Sequence, residues 1–109
     1  MKLLSILLAS FVCVSLSAQQ SQYINSNDHI QKGYPFSQAT LVNNIIYLSG
    51  ELGTTSDGTL VEEGIVPETI QALKNISETL KYMGSSIDNV FKCTCMLADI
   101  KDWPHVKSL

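Results

Sequence analysis

The chain has 109 residues, which is the size of one domain. It carries a formal net charge of −3 at pH 7, its seven basic residues are all lysine, and it contains no arginine. Phosphate binding requires clustered basic side chains, so this composition argues against a nucleic-acid partner.

Residues 1–18 have the layout of a secretory signal peptide. Lys2 provides the positive start, an almost wholly apolar run extends from Leu3 to Leu16, and the small residues Ser17 and Ala18 follow it. The run is shorter than the roughly 20 apolar residues that a membrane span needs, so an uncleaved anchor or a buried first helix is the less favoured alternative. We therefore expect an exported protein, periplasmic or secreted, with no membrane attachment after cleavage.

Residues 19–32 are polar, rich in Asn, Gln and Ser, and show no apolar periodicity. This composition predicts a flexible leader, with the folded domain occupying residues 33–109.

Two short apolar runs on either side of Asn43-Asn44 predict a β-hairpin. Asparagine tolerates the positive φ angles that two-residue hairpin turns require, so the two strands should be antiparallel. The second strand ends at Ser49-Gly50, where a glycine indicates a bulge or a close approach of the backbone. Asp57-Gly58 predicts a further turn, followed by a short strand at residues 59–61.

The clearest helix is predicted from Pro67 to Met83. Proline suits the first helical position, and Gly84 follows the last periodic residue as a C-terminal capping glycine should. An apolar stripe is formed at spacings of three and four by Ile70, Leu73, Ile76, Leu80 and Met83. The opposite side is expected to be a solvated polar face, consisting of Gln71, Lys74, Asn75, Glu78 and Lys81.

Residues 90–98 form a nearly continuous apolar run that predicts a central strand covered on both faces. Cys93 and Cys95 would share one face of it as small buried side chains, and His29 and His105 lack the spacing of metal ligands. Asp102 is predicted to cap a second helix of about two turns. Strands alternating with helices in this order indicate an α+β architecture, with the first helix packed on the sheet.

Four segments together resemble the reactive-intermediate deaminase (RidA) family, also called YjgF/YER057c/UK114. They are Gly-Tyr-Pro-Phe-Ser-Gln-Ala at 33–39, Ile-Tyr-Leu-Ser-Gly-Glu at 46–51, Gln-Ala-Leu-Lys-Asn-Ile at 71–76 and Val-Phe-Lys-Cys-Thr-Cys-Met-Leu-Ala-Asp-Ile at 90–100. Each segment alone is a weak signal, but the four occur in the family's order and at its separations. The resemblance extends from Gly33 to Leu109.

The resemblance implies a chorismate-mutase-like α+β fold and a homotrimer with clefts between its subunits. It implies hydrolysis of reactive enamines and imines, such as 2-aminoacrylate, to 2-oxo acids and ammonia, with no metal or organic cofactor. The cleft wall that it assigns to this chain consists of Phe36, Ser37, Ser49, Gly50 and Glu51.

The sequence departs from the family pattern in its catalytic groups. The carboxylate-binding arginine and the water-positioning glutamate of the family correspond to positions beyond Leu109, so no catalytic residue is assigned here. Phe36 stands where a tyrosine is common, and Lys107 stands where an asparagine is usual. Lys107 could offer a charge to the substrate carboxylate without arginine's planar fork, although a solvated terminal lysine is the favoured interpretation.

These departures predict a C-terminally truncated or incomplete member of the family, inactive as a 109-residue chain. The alternative is an exported, non-catalytic ligand-binding or assembly protein of the same fold. A ribonuclease or translation inhibitor is disfavoured by the acidic charge and the absence of arginine.

Overall fold

The computed structural model of the protein describes residues 20–109, so the predicted signal peptide lies outside the described residues. The described strands are β1 (Gln22–Ile24), β2 (Ala39–Val42) and β3 (Ile45–Leu48). The described α-helices are α1 (Asn27–Gln31), α2 (Ile65–Tyr82) and α3 (Trp103–Val106). Two 3-10 turns lie at Ile87–Asn89 and Ile100–Asp102. This combination confirms the α+β class. In residues 20–109 we find no helix with the length and apolarity needed to cross a membrane.

The predicted hairpin is confirmed. Strands β2 and β3 are antiparallel, with Val42 opposite Ile45 at the turn. Asn43 and Asn44 have φ angles of 49° and 65°. Two consecutive positive φ angles match the turn whose twist suits a two-residue hairpin, so the Asn-Asn pair sets the register of this part of the sheet.

The expectation of a flexible leader is corrected for its described part, which contains β1 and α1. Strand β1 adds a third strand to the sheet by pairing antiparallel with β2, with Tyr23 opposite Thr40. The Ser26 hydroxyl accepts a hydrogen bond of 3.2 Å from the His29 amide and so caps α1. The polar residues that made the segment look unstructured therefore satisfy backbone groups at a helix end and beside a strand.

Helix α2 begins two residues earlier than predicted and ends one residue earlier, at Tyr82, with Met83 as its C-cap. Its N-cap is Gly64, so Pro67 is the third helical residue, still within the first turn whose amides have no intrahelical acceptor. At the other end the Gly84 amide donates to the Lys81 carbonyl at 3.0 Å, and the Ser85 amide donates to the Leu80 carbonyl at 2.8 Å. This paired pattern needs the positive φ of 76° at Gly84, which glycine adopts without strain.

The apolar stripe of α2 is covered unevenly by the described residues. Leu80 is 5% exposed, whereas Ile70 near the helix start is 53% exposed. Ala39 on β2 is the other buried apolar residue, so the core among residues 20–109 lies where the sheet meets the C-terminal half of α2.

The central strand predicted at residues 90–98 is not formed, because none of the described strands pairs with this segment. The backbone is extended at Val90 (φ −74°, ψ 117°), but Phe91 and Met96 are 79% and 90% exposed. Cys93 and Cys95 are exposed rather than buried. Side-chain preference specifies an extended backbone, but a strand also requires a neighbouring edge for its N–H and C=O groups.

The C-terminal helix is shorter than predicted and has a different cap. Helix α3 has four residues, about one turn. Asp102 makes no side-chain cap, whereas Asp99 caps the preceding 3-10 turn by accepting from the Lys101 amide at 2.9 Å. The short strand predicted at residues 59–61 is reduced to a single bridge between Thr54 and Leu60.

Candidate functional site

The chain leaves β3 through a fixed corner at Ser49. Both the amide and the hydroxyl of Ser49 donate to the Gln38 carbonyl, each at 3.1 Å. Gly50 follows on the surface, and no atom lies within 4 Å of the position that a Cβ would occupy there. The Ser-Gly pair therefore presents exposed backbone at the end of a strand that these hydrogen bonds fix in place.

Gln38 connects three parts of the fold through its side chain. Its Oε1 accepts from the Ser26 amide at 3.0 Å, and its Nε2 donates to the Thr79 hydroxyl at 3.0 Å. Its own amide donates to Asn25 Oδ1 at 2.8 Å. No role for Gln38 or Thr79 is predictable from the sequence, because nothing in the order of residues indicates that positions so far apart meet.

Glu51 is half-buried where the corner turns toward α2. The Thr79 hydroxyl donates to Glu51 Oε1 at a long 3.4 Å. Burial raises the pKa of this carboxyl above its ordinary value, opposed by the hydrogen bond from Thr79 and by the charges of His29 and Lys32. The site therefore contains a carboxyl group that gives up its proton less readily than one in water.

The aromatic residues before β2 form a cluster. The rings of Tyr34 and Phe36 stack with centroids 5.3 Å apart, and the His29 ring meets Phe36 edge-on at 5.5 Å. His29 Nε2 lies 2.7 Å from the Phe36 carbonyl oxygen. Phe36 remains half-exposed and Ser37 is partly buried. His29 was not predicted to take part, and its ring contacts with Tyr34 and Phe36 identify it.

Two depressions adjoin this region, and Glu51 contributes to both. The first, here called the apolar groove, has a volume of about 900 Å3 and lies between β3 and residues 85–96, with Ile76 and Leu80 of α2 contributing to its lining. Ser49 and Gly50 also line it. The second, here called the polar cavity, has a volume of about 610 Å3 and lies between α1, the 51–56 loop and α2.

The structure thus brings together three of the six predicted cleft residues, Ser49, Gly50 and Glu51. Within residues 20–109, neither depression is lined by Phe36, Ser37 or Lys107. Lys107 is exposed directly after α3, and its amide donates to the Trp103 carbonyl at 3.0 Å. Residues 20–109 contain no group of three or more His, Cys, Asp or Glu side chains placed to hold a metal ion.

The chain is similar in sequence to a known protein family and to named relatives. The family model described as Endoribonuclease L-PSP matches residues 26–109. The chain is 47% identical over 76 residues to the 2-iminobutanoate/2-iminopropanoate deaminase of Homo sapiens, covering 69% of this chain and 56% of that protein. It is 36% identical over 97 residues to the chloroplastic Reactive Intermediate Deaminase A of Arabidopsis thaliana, covering 88% of this chain and 52% of that protein.

A solved structure shows the same fold. The crystal structure of a protein of the conserved Rid family from Yersinia pestis superposes with a TM-score of 0.73 at 32% identity, covering 82% of this chain and 71% of that one. The chain spans about half the length of the curated relatives it matches.

Proposed function

Because the chain belongs to the Endoribonuclease L-PSP family, which is the RidA family that its sequence resembles, we propose that its function is the hydrolysis of reactive enamines and imines. The observation that carries the proposal is the 47% identity to the human 2-iminobutanoate/2-iminopropanoate deaminase over 76 residues. The substrates are small 2-imino acids of the type that 2-aminoacrylate forms.

In this reaction water adds to C2 of the imine, the C–N bond breaks, and ammonia leaves with the formation of a 2-oxo acid. A cleft that holds the carboxylate and positions the water lowers the barrier by orientation. The exposed backbone at Ser49 and Gly50 would supply one wall of such a cleft.

The proposal extends to assembly and location. A homotrimer would place a second subunit opposite the wall at Ser49 and Gly50, and the apolar start of the sequence favours export. Light scattering of the purified protein and N-terminal sequencing of the expressed product test these two statements. A monomer, or a product that retains Met1 and Lys2, would contradict them.

The enzymatic test uses 2-aminoacrylate generated in situ by a pyridoxal-phosphate-dependent dehydratase, with release of the 2-oxo acid as the readout. Because the 109 residues include no arginine, we expect the chain alone to give no rate above the uncatalysed reaction. A chimera that adds the C-terminal part of the human relative to residues 20–109 should be active.

The chimera separates the proposal from its alternative. A folded chimera that forms trimers but does not accelerate hydrolysis would overturn the enzymatic proposal and leave a ligand-binding or assembly role. The relatives named as deaminases do not favour that role.

A further inference from the structure

The polar face of α2 forms a wall of the polar cavity. Gln71, Lys74, Asn75 and Glu78, expected from the sequence to be a solvated face, line it together with Tyr82. The Asn75 side-chain amide donates to the carbonyls of Leu52 and Thr54, at 3.0 and 2.9 Å. These bonds hold the 51–56 loop against the helix, so part of this face is covered by the fold.

His29 lies in the wall of the cavity with its ring held by the fold. A carbonyl oxygen can only accept, so the 2.7 Å approach of His29 Nε2 to the Phe36 carbonyl requires that Nε2 carry the proton. His29 is 9% exposed and lines the cavity, so its orientation is set by the fold.

Glu51 provides a hydrogen-bond acceptor in the same cavity. Its only hydrogen bond among the described residues is the 3.4 Å contact from Thr79. A carboxylate offers about four acceptor positions, so most of its capacity is available to a ligand. An acidic side chain with free acceptor positions suits a donor cation such as a primary ammonium group.

Lys74 supplies the opposite charge on the α2 side. In residues 20–109 the one ion pair is between Lys32 and Asp28, at 2.8 Å, and both of these residues also line the cavity. Lys74 therefore has no carboxylate partner within ion-pair distance in the described part of the chain. Its ammonium group can pair with an incoming carboxylate.

From this arrangement we propose that the polar cavity binds a small zwitterion of the α-amino acid type. The ligand's ammonium group donates to Glu51, and its carboxylate pairs with Lys74. A volume of about 610 Å3 accommodates an amino acid together with several waters. This site goes beyond the proposed imine hydrolysis, because the cavity does not include the Ser49-Gly50 wall.

The test is calorimetric titration of the full chain with L-alanine, acetate and methylammonium as separate probes. We expect saturable binding of L-alanine and weaker binding of both single-charge probes. Lys74→Met should weaken L-alanine binding by about two- to fivefold and leave the methylammonium affinity unchanged. Lys81→Met is the matched control, because Lys81 lies on the same helix outside the cavity lining, and it should bind L-alanine as the parent chain does.

Glu51→Gln provides a second variant with the complementary expectation, a loss of affinity for methylammonium as well as for L-alanine. Circular dichroism of each variant establishes that it is folded before titration. Absence of saturable L-alanine binding, binding of acetate as tight as that of L-alanine, or equal losses for the Lys74 and Lys81 variants would each overturn the proposal. None of these readouts depends on imine hydrolysis, so failure of the enzymatic proposal leaves this test intact.

Discussion

The side-chain amide of Gln38 donates a 3.0 Å hydrogen bond to the hydroxyl of Thr79, a residue 41 positions away. Thr79 is buried on α2, and Gln38 directly precedes β2. Because the same hydroxyl can donate its proton to Glu51, this contact ties the sheet, the helix and the candidate site into one unit.

Thr79→Val should destabilise the fold. Valine keeps the shape of the side chain but removes the partner of the Gln38 amide and of Glu51, and leaving such groups unsatisfied costs about 1–3 kcal/mol each. Urea unfolding followed by circular dichroism measures the change. Thr69→Val is the matched control, because its hydroxyl bonds only to the Ile65 carbonyl of the same helix at 2.7 Å, and it should stay within about 0.5 kcal/mol. Equal losses for the two variants would contradict a special role for the Gln38–Thr79 contact.

Gly53→Ala should separate the 51–56 loop from the start of α2. A Cβ at this position would lie against the backbone of Glu68, 2.8 Å from its carbonyl carbon. Overpacking of this kind typically costs about 1–3 kcal/mol. Thermal unfolding measures the loss, and Gly50→Ala, which meets no atom within 4 Å, should be neutral or slightly stabilising. If Gly53→Ala were as well tolerated as Gly50→Ala, the close packing of the loop on α2 would be wrong.

Asn44→Val should weaken the hairpin, because Asn44 has a φ of 65° that a β-branched residue adopts only with strain. The expected loss is about 1–2 kcal/mol of unfolding free energy. Asn44→Gly should show no such loss, because glycine reaches positive φ freely. Unfolding midpoints of the two variants, measured in one buffer, test this expectation. Similar destabilisation by both changes would argue against the positive φ of Asn44 in the turn.

Glu51→Gln should raise stability at neutral pH and lose this advantage in acid. Burial raises the pKa of Glu51 in the folded state, so the folded state binds the proton more tightly than the unfolded chain does. The stability that Glu51 contributes is therefore fully present below its unfolded pKa and is lost as pH rises through the folded pKa. Glutamine does not titrate, so the stability gap between the variant and the parent should shrink as pH falls from about 8 to about 4. A gap that is constant or widens in acid would contradict the raised pKa.

Local chemistry was sufficient to predict the hairpin and the end of α2. Asn43 and Asn44 adopt the positive φ that the turn needs, and Gly84 does the same at the helix end. Such preferences act within a few residues, so the order of amino acids specifies them without any knowledge of the rest of the fold.

Part of the candidate site was also predictable. Ser49, Gly50 and Glu51 adjoin one another in the chain and line one groove. Phe36, Ser37 and Lys107 were assigned to the same cleft by resemblance alone, and the described residues do not bring them to that groove. Their contribution to the cleft would require a second subunit, as in the proposed trimer.

The sequence by itself determined which segments prefer to form turns, extended backbone or helices. Tertiary structure alone decided that Asn25 and Ser26 organise the start of the fold, that residues 90–98 have no strand beside them among the described residues, and that Gln38 meets Thr79. The physical reason is that backbone and side-chain polar groups need partners, and partners distant in the chain exist only once the fold has brought them together.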